Sequence, residues 1–301
     1  MDIRYTIIGG KPLQGDVRIS GSKNAALPMI AGTILACGPC TLENVPRLRD
    51  TELLLQALSA MGASVQWEGN VLHIDTARLE SRPPPEEIVC KLRGSIVLLG
   101  PLLARFSVAE MAYPGGCVLG KRPIDAHLSA LTQMGVRDMS TDDTIHLQGT
   151  PHAGRIILPE FSVTATENAL WAAAGCSGTT TIELAAAEPH VQACARMAAA
   201  MGADVEGIGT HTLTVRGRRD LSPVAVRVPS DYLEAGCMIV AALLTKGRIR
   251  LHEFEEADLT SFNDMLRRSG AILKADPSER TIFVDGELSL LGSMHVRTNI
   301  F

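Results

Sequence analysis

Cys117 stands in the run Tyr113–Asp125, YPGGCVLGKRPID, between glycines and just ahead of Lys121 and Arg122. Small neighbours without apolar periodicity cannot bury a thiol, and two nearby cations with free loop amides would stabilise its thiolate and lower its pKa. Such a group suits proton transfer or nucleophilic attack beside an anion. Further cations occur at Lys23 in GSKNAALP and at Arg93 in KLRGSI. Lys23 follows Gly21 and Ser22 at the expected start of a helix, where free N–H groups and the helix dipole add to its charge. The plainer reading of that segment is Ser22 as N-cap followed by a solvated lysine. Arg93 can clamp a phosphate or carboxylate through two parallel hydrogen bonds, or it can be a surface residue ahead of a buried helix.

The 301 residues are 46% hydrophobic and 20% charged, enough for two globular domains. A formal net charge of -5 offers no general attraction to nucleic acid or to an acidic membrane, so an anion site must be local and a small-molecule pocket is expected. No apolar run reaches the length of a membrane span, and the start MDIRYTIIGG does not read as a signal peptide, which makes the cytoplasm the expected location. Seven irregularly spaced cysteines do not form a secreted disulfide framework. Cys37 and Cys40 form a CxxC with no second pair, so no metal site is expected. Cys176, Cys194 and Cys237, inside Ala-rich runs, are expected to be inert buried thiols.

The elements that must position these groups repeat. A nearly all-apolar helix, a Gly-containing turn, a strand, an amphipathic helix ending in Met-Gly or Ser-Gly and a strand pair recur four times. The helix-ending glycines Gly62, Gly135, Gly202 and Gly270 lie 73, 67 and 68 residues apart and suit helix C-caps. Each unit predicts β-α-β-α-β-β, with Leu27–Leu35, Leu170–Ala174 and Met238–Leu244 buried on all sides. The fold class is therefore α/β, with three units around a common core of buried helices and sheets outside. Residues 21–228 would make one complete three-repeat domain carrying the Cys117 loop. Residues 1–20 with 229–301 would make a partial second domain of one repeat, a chain cut short unless a partner supplies the rest.

In order along the chain stand ISGSKNAALP, ENVPRLRD, KLRGSI, PGGCVLGKRPIDAHL, FSVTATENA, AAAEPH, VPSDYLEAG and VRT. With this set the sequence resembles the enolpyruvyl transferases, and among them the branch acting on UDP-N-acetylglucosamine. The resemblance implies two inside-out α/β domains, each built from three repeats, with the N-terminal strand belonging to the second. It implies transfer of the enolpyruvyl group of phosphoenolpyruvate to the 3-hydroxyl of UDP-N-acetylglucosamine with release of phosphate, the first step of peptidoglycan precursor synthesis. No cofactor, metal, nucleic acid or membrane is implied.

By that resemblance Lys23 meets phosphoenolpyruvate, Asn24 lies in the neighbourhood of both substrates, and Arg93 and Arg122 serve the substrate pocket. Cys117 would be the proton donor, able to form an adduct with phosphoenolpyruvate and open to alkylation by fosfomycin. The nucleotide sugar would lie against Arg122, Pro123, Ile124, Asp125 and Ala126 and against Glu160, Phe161, Ser162 and Val163. Two positions depart from the family pattern. Thr164 stands where glycine is usual, and His190, where glutamate is frequent, reads as a solvated residue at a helix start. Asp231 reads as the cap of a helix starting near Tyr232, with Glu234 in its first turn. The family's general-base aspartate, in a PTD motif after VRT, would lie beyond Phe301, so the chain alone is expected to be inactive or nearly so. The alternatives are a non-catalytic paralogue that binds UDP-N-acetylglucosamine or a protein, and the sibling enzyme acting on shikimate 3-phosphate, against which the Cys117 loop argues.

Overall fold

The computed structural model describes residues 4–6, 8–115 and 123–287. After β1 (Gln14–Arg18), the first repeat comprises α1 (Lys23–Gly32), a 3-10 turn (Thr33–Ala36), β2 (Pro39–Glu43), α2 (Arg49–Ala60), β3 (Ser64–Glu68) and β4 (Val71–Asp75). The second comprises α3 (Glu86–Val89), a 3-10 turn (Arg93–Leu98), α4 (Leu99–Phe106), β5 (Val108–Ala112), α5 (Asp125–Gln133), β6 (Arg137–Asp138) and β7 (Thr144–Gln148). The third comprises β8 (Arg155–Ile157), α6 (Val163–Ala174), β9 (Gly178–Glu183), α7 (Pro189–Ala200), β10 (Asp204–Glu206) and β11 (Thr212–Gly217). The fourth comprises β12 (Ala225–Arg227), α8 (Tyr232–Leu244), β13 (Arg248–His252), a 3-10 turn (Glu256–Leu259), α9 (Thr260–Arg268), β14 (Ile272–Asp276) and β15 (Thr281–Asp285). Where a leading strand was expected, the second repeat opens with the single helical turn of α3.

Each sheet has one plan. The last two strands of a repeat form an antiparallel hairpin, and the middle strand pairs antiparallel with the second of them, as in β2-β4-β3, β5-β7-β6, β9-β11-β10 and β13-β15-β14. Three sheets add a parallel edge strand: β12 beside β2, β8 beside β9, and β1 beside β13. The strand that completes the sheet of the first repeat thus comes from residues that follow the third, and β1 completes the sheet of the fourth. All four helix-ending glycines adopt positive φ, 107° at Gly62, 83° at Gly135, 111° at Gly202 and 92° at Gly270, the backbone a helix stop of this kind requires.

The described residues form two compact units, Gly21–Pro229 in one and the residues on either side of it in the other. In Gly21–Pro229 the core is built by helices. Ala25 to Gly32 of α1 are all buried, as are Ala165 to Ala174 of α6. Close approach needs small residues: a Cβ on Gly32 would lie 2.3 Å from the Trp171 ring, and one on Gly100 would lie 2.2 Å from the Asn168 carbonyl oxygen. The buried Asn168 side chain joins α6 to the second repeat, accepting from the Gly100 N–H at 2.7 Å and donating to the Ile96 carbonyl at 2.9 Å. Each fully buried Leu or Ile contributes about 1.5–3 kcal/mol.

In the other unit, Ile19, Ala235, Ile239, Ala242, Leu251, Phe254, Ile282 and Val284 form a separate small core. The expectation that Met238–Leu244 is buried on all sides fails: Leu244 is 75% exposed and Met238 is only partly covered. Among the described residues α8 packs on β13, β15 and the 3-10 turn Glu256–Leu259, which cover one face. Cys237 is accordingly exposed rather than buried. Among the described residues no helix is long and apolar enough to cross a membrane, and no group of three or more His, Cys, Asp or Glu could hold a metal ion.

Candidate functional site

Cys117, Lys121 and Arg122 lie outside the described residues. Arg93, first residue of its 3-10 turn, extends its guanidinium to both flanks. One terminal nitrogen (Nη1) is 3.4 Å from the Pro114 carbonyl oxygen and the other (Nη2) is 3.5 Å from that of Pro123. At Gly115 a Cβ would meet the Cys90 carbonyl oxygen at 2.0 Å, so glycine is required where the chain enters that segment. The Arg93 turn packs on α1, and a Cβ on Gly94 would meet the Leu27 side chain at 2.6 Å.

Lys23 and Asn24 open α1, both half-buried. Ser22 is the N-cap, its hydroxyl accepting from the Ala25 N–H at 3.4 Å. Pro28 carries no N–H for the Asn24 carbonyl, which leaves one more polar backbone group near the helix start. Lys23 is not simply solvated. Its Nζ lies 3.1 Å from Oδ2 of Asp50, in the first turn of α2. At 40% and 37% side-chain exposure the pair adds little stability, and it fixes the direction of the ammonium group. Only glycine fits at position 21, where a Cβ would fall 1.8 Å from the Asn44 carbonyl oxygen.

Pro123 and Asp125 are exposed, whereas the side chains of Ile124 and Ala126 are buried in the core at 6% and 5% exposure. The alternation follows from Ile124 preceding α5 and Ala126 facing its inner side, so these two can meet a ligand only through main-chain atoms. Glu160 and Phe161 are exposed, and the Phe161 ring stands edge-on to His211 with centroids 4.8 Å apart. Ser162 is the N-cap of α6 without a side-chain cap, and its carbonyl accepts from Thr166. Its hydroxyl is thus not spent on the helix, and the first-turn N–H groups from Val163 onward lack intrahelical acceptors.

One pair was not legible in the sequence. His127 of α5 places Nε2 2.8 Å from Oγ1 of Thr164 in the first turn of α6, across 37 residues of chain. Burial, with the Arg93 charge adding, holds the His127 pKa down to about 4, so the ring is neutral at pH 7. Arg93, the start of α5 and the start of α6 therefore form one corner, with a cation, half-exposed hydroxyls and helix N–H groups that suit an anionic ligand. Four other titratable groups differ from expectation or lie deep. His190 is buried rather than solvated, at 4% exposure in the first turn of α7. Burial, reinforced by Glu188, pushes the Glu167 carboxyl well above its usual range. Cys194 and Cys176 are buried, with burial raising both thiols.

Asp231 caps α8, accepting from the N–H groups of Leu233 at 2.9 Å and Glu234 at 3.1 Å. Glu234 accepts from the Ser20 N–H at 3.0 Å and from its hydroxyl. The Asp231 side chain is thus spent on the helix start, and the Glu234 side chain holds that start to the segment after β1.

A family model described as EPSP synthase (3-phosphoshikimate 1-carboxyvinyltransferase) matches residues 7–300, and the chain belongs to this family of enolpyruvyl transferases. Relatives within it carry a more particular name, UDP-N-acetylglucosamine 1-carboxyvinyltransferase. The one from Halorhodospira halophila is 42% identical over 285 residues, covering 94% of this chain and 68% of the relative. That from Acinetobacter baylyi is 40% identical, over 89% of this chain and 65% of the relative. That from Chlorobium phaeovibrioides is 43% identical, over 89% and 64%. The chain thus spans about two thirds of the length of these relatives. Among solved structures, the enolpyruvyl transferase NikO from Streptomyces tendae superposes with a TM-score of 0.80 at 24% identity, over 92% of this chain and 66% of that one. An EPSP synthase from Acinetobacter baumannii does so with a TM-score of 0.72 at 22% identity, over 94% and 66%. These two likenesses establish the α/β fold.

Proposed function

We propose that the chain carries the acid loop and the nucleotide-sugar corner of an enzyme that transfers the enolpyruvyl group of phosphoenolpyruvate to the 3-hydroxyl of UDP-N-acetylglucosamine. The observation that carries this reading is the name shared by relatives about 40% identical over about nine tenths of the chain. In the reaction the methylene carbon of phosphoenolpyruvate takes a proton, the sugar oxygen bonds to the adjacent carbon, and the sugar hydroxyl gives up its proton. Loss of that methyl proton with cleavage of the bond to phosphate then restores the vinyl group and frees phosphate. Each step needs a fixed group.

Cys117 is the proton donor, held on a segment whose two flanks Arg93 tethers. Lys23, aimed by Asp50, and Asn24 receive phosphoenolpyruvate, whose phosphate and carboxylate favour fixed cations. Arg93 and Arg122 hold the anionic groups of the substrates. Pro123, Ile124, Asp125 and Ala126 read the nucleotide, Ile124 and Ala126 through their main chain, while Glu160, Phe161, Ser162 and Val163 line the diphosphate at the start of α6. The reaction is that of cytoplasmic peptidoglycan precursor synthesis. The family model bears the name of the enzyme acting on shikimate 3-phosphate, but the Cys117 loop and the relatives' shared name favour the nucleotide sugar.

The test is covalent labelling of the full chain, followed by intact mass. With UDP-N-acetylglucosamine present, fosfomycin is expected to add once to the wild type and not to Cys117→Ser. Equal labelling of the variant, or none of the wild type, would overturn the assignment.

A further inference from the structure

His127 and Thr164 have no part in the reading above, yet they lie at the centre of the corner. His127 is 4% exposed, its Nε2 is 2.8 Å from the Thr164 hydroxyl, and its Nδ1 is buried with no hydrogen-bond partner at bonding geometry. Burial and Arg93 keep the ring neutral at pH 7, and the Ile124 carbonyl acts weakly in the opposite direction. With Nδ1 unpartnered, the neutral pair can hold its hydrogen in either sense, Thr164 donating to Nε2 or Nε2–H donating to Thr164. Thr164 is half-exposed in the first turn of α6. In the first sense its only hydrogen is spent on His127, and the side of the hydroxyl left to a ligand carries lone pairs, which an anion disfavours.

We propose that binding of the diphosphate of a nucleotide sugar at the start of α6 is coupled to uptake of one proton by His127, which fixes Nε2–H as the donor to Thr164 and turns the threonine hydroxyl hydrogen toward the anion. This rests on the nucleotide-sugar reading. The proton comes from solvent, the charged ring carries N–H on both nitrogens, and no covalent bond between heavy atoms forms or breaks. The cause is electrostatic: an anion at the corner offsets the Arg93 charge that opposes the imidazolium and attracts that cation itself. Helix α5 packs against α6, β8 and β6. The charged and titratable groups on these elements, on α5 itself and on the neighbouring turn are Glu167, Arg155, Arg137, Asp138, Asp125 and Arg93. Burial pushes the Glu167 carboxyl up, Arg155 is paired with Glu183, and of the six Arg93 is the one whose charge lowers the ring's pKa. By linkage, affinity for the ligand rises as pH falls toward 4, because the complex binds the proton more tightly than the free protein.

The experiment is titration calorimetry of UDP-N-acetylglucosamine into the full chain at one pH near 5.5, in two buffers of different ionisation enthalpy. Both phosphates of this ligand are diesters and do not titrate there. The wild type is expected to take up more than half a proton per bound ligand. His127→Gln, whose amide still reaches Thr164 without titrating, is expected to bind with none, and Thr164→Val to bind at least several-fold more weakly than wild type at the same pH. Should His127→Gln not fold, the His127 ring resonance of the wild type serves, and it is expected to titrate at higher pH with ligand than without. Equal heats in both buffers for the wild type, uptake retained by His127→Gln, or a ring titration unmoved by ligand would each overturn the coupling. Absence of any binding from pH 5 to 8 would instead remove the nucleotide-sugar reading, and the coupling with it.

Discussion

Helices α1 and α8 occupy the same place in their repeats and have similarly apolar sequences, KNAALPMIAG and YLEAGCMIVAALL. Their surroundings differ. In α1 every residue from Ala25 to Gly32 is buried, with α2, α6, α7 and the Arg93 turn packed around it. In α8 five of thirteen residues are buried, and Leu233, Cys237 and Leu244 are exposed. An apolar helix states what can be buried, and its neighbours decide what is. The consequence for function is that the start of α1, with Lys23 and Asn24, stands on a fully packed helix, as do Arg93 on its turn and Ser162 and Thr164 on α6.

The contrast is tested by truncating one apolar side chain in each helix, buried Ile30 in α1 and exposed Leu244 in α8. Ile30→Ala should cost about 3–4 kcal/mol, since a fully buried isoleucine leaves a cavity among helices that cannot collapse. Leu244→Ala, at 75% exposure, should change stability by less than about 0.5 kcal/mol. Denaturant titration of both variants measures the difference, and equal losses would contradict the packing described.

The buried imidazole sharpens the same contrast through pH. His127 titrates near 6.5 when unfolded and near 4 when folded. Between these values the unfolded chain binds more protons, so stability is greatest above pH 6.5 and is lost as pH falls toward 4. The loss should reach about 3 kcal/mol at most, and His127→Gln should flatten that part of a stability profile. Asn168→Ala, which leaves the Gly100 N–H and the Ile96 carbonyl without partners, should cost about 2 kcal/mol, read as a shift in the unfolding midpoint. At α8, Asp231→Ala removes a two-bond cap and should cost about 1 kcal/mol. Hydrogen exchange at Leu233 and Glu234 would report that smaller loss locally.

What the sequence disclosed follows the same division. Glycine spacing marked all four helix stops because positive φ is a local demand, and the apolar runs of α1 and α6 marked the inner helices because other inner helices cover them. The run in α8 misled, as did the Ala-rich setting of Cys237, since both depend on neighbours. His190 read as solvated from its place at a helix start and is buried instead. Within the site, Lys23 was visible as a cation after a cap. Its partner Asp50, 27 residues away, and the pairing of His127 with Thr164 were not, because no periodicity links residues joined only by the meeting of helix starts. Thr164 departs from the glycine usual at its place, and its hydroxyl is hydrogen-bonded to a buried ring.

The central claim is that the Arg93 corner binds a nucleotide sugar. Equilibrium binding of UDP-N-acetylglucosamine and of shikimate 3-phosphate to the wild type and to Arg93→Gln tests it most directly. The account predicts saturable binding of UDP-N-acetylglucosamine, weakened at least tenfold by Arg93→Gln, and weaker binding of shikimate 3-phosphate. Unchanged affinity in Arg93→Gln, or preference for shikimate 3-phosphate, would contradict it.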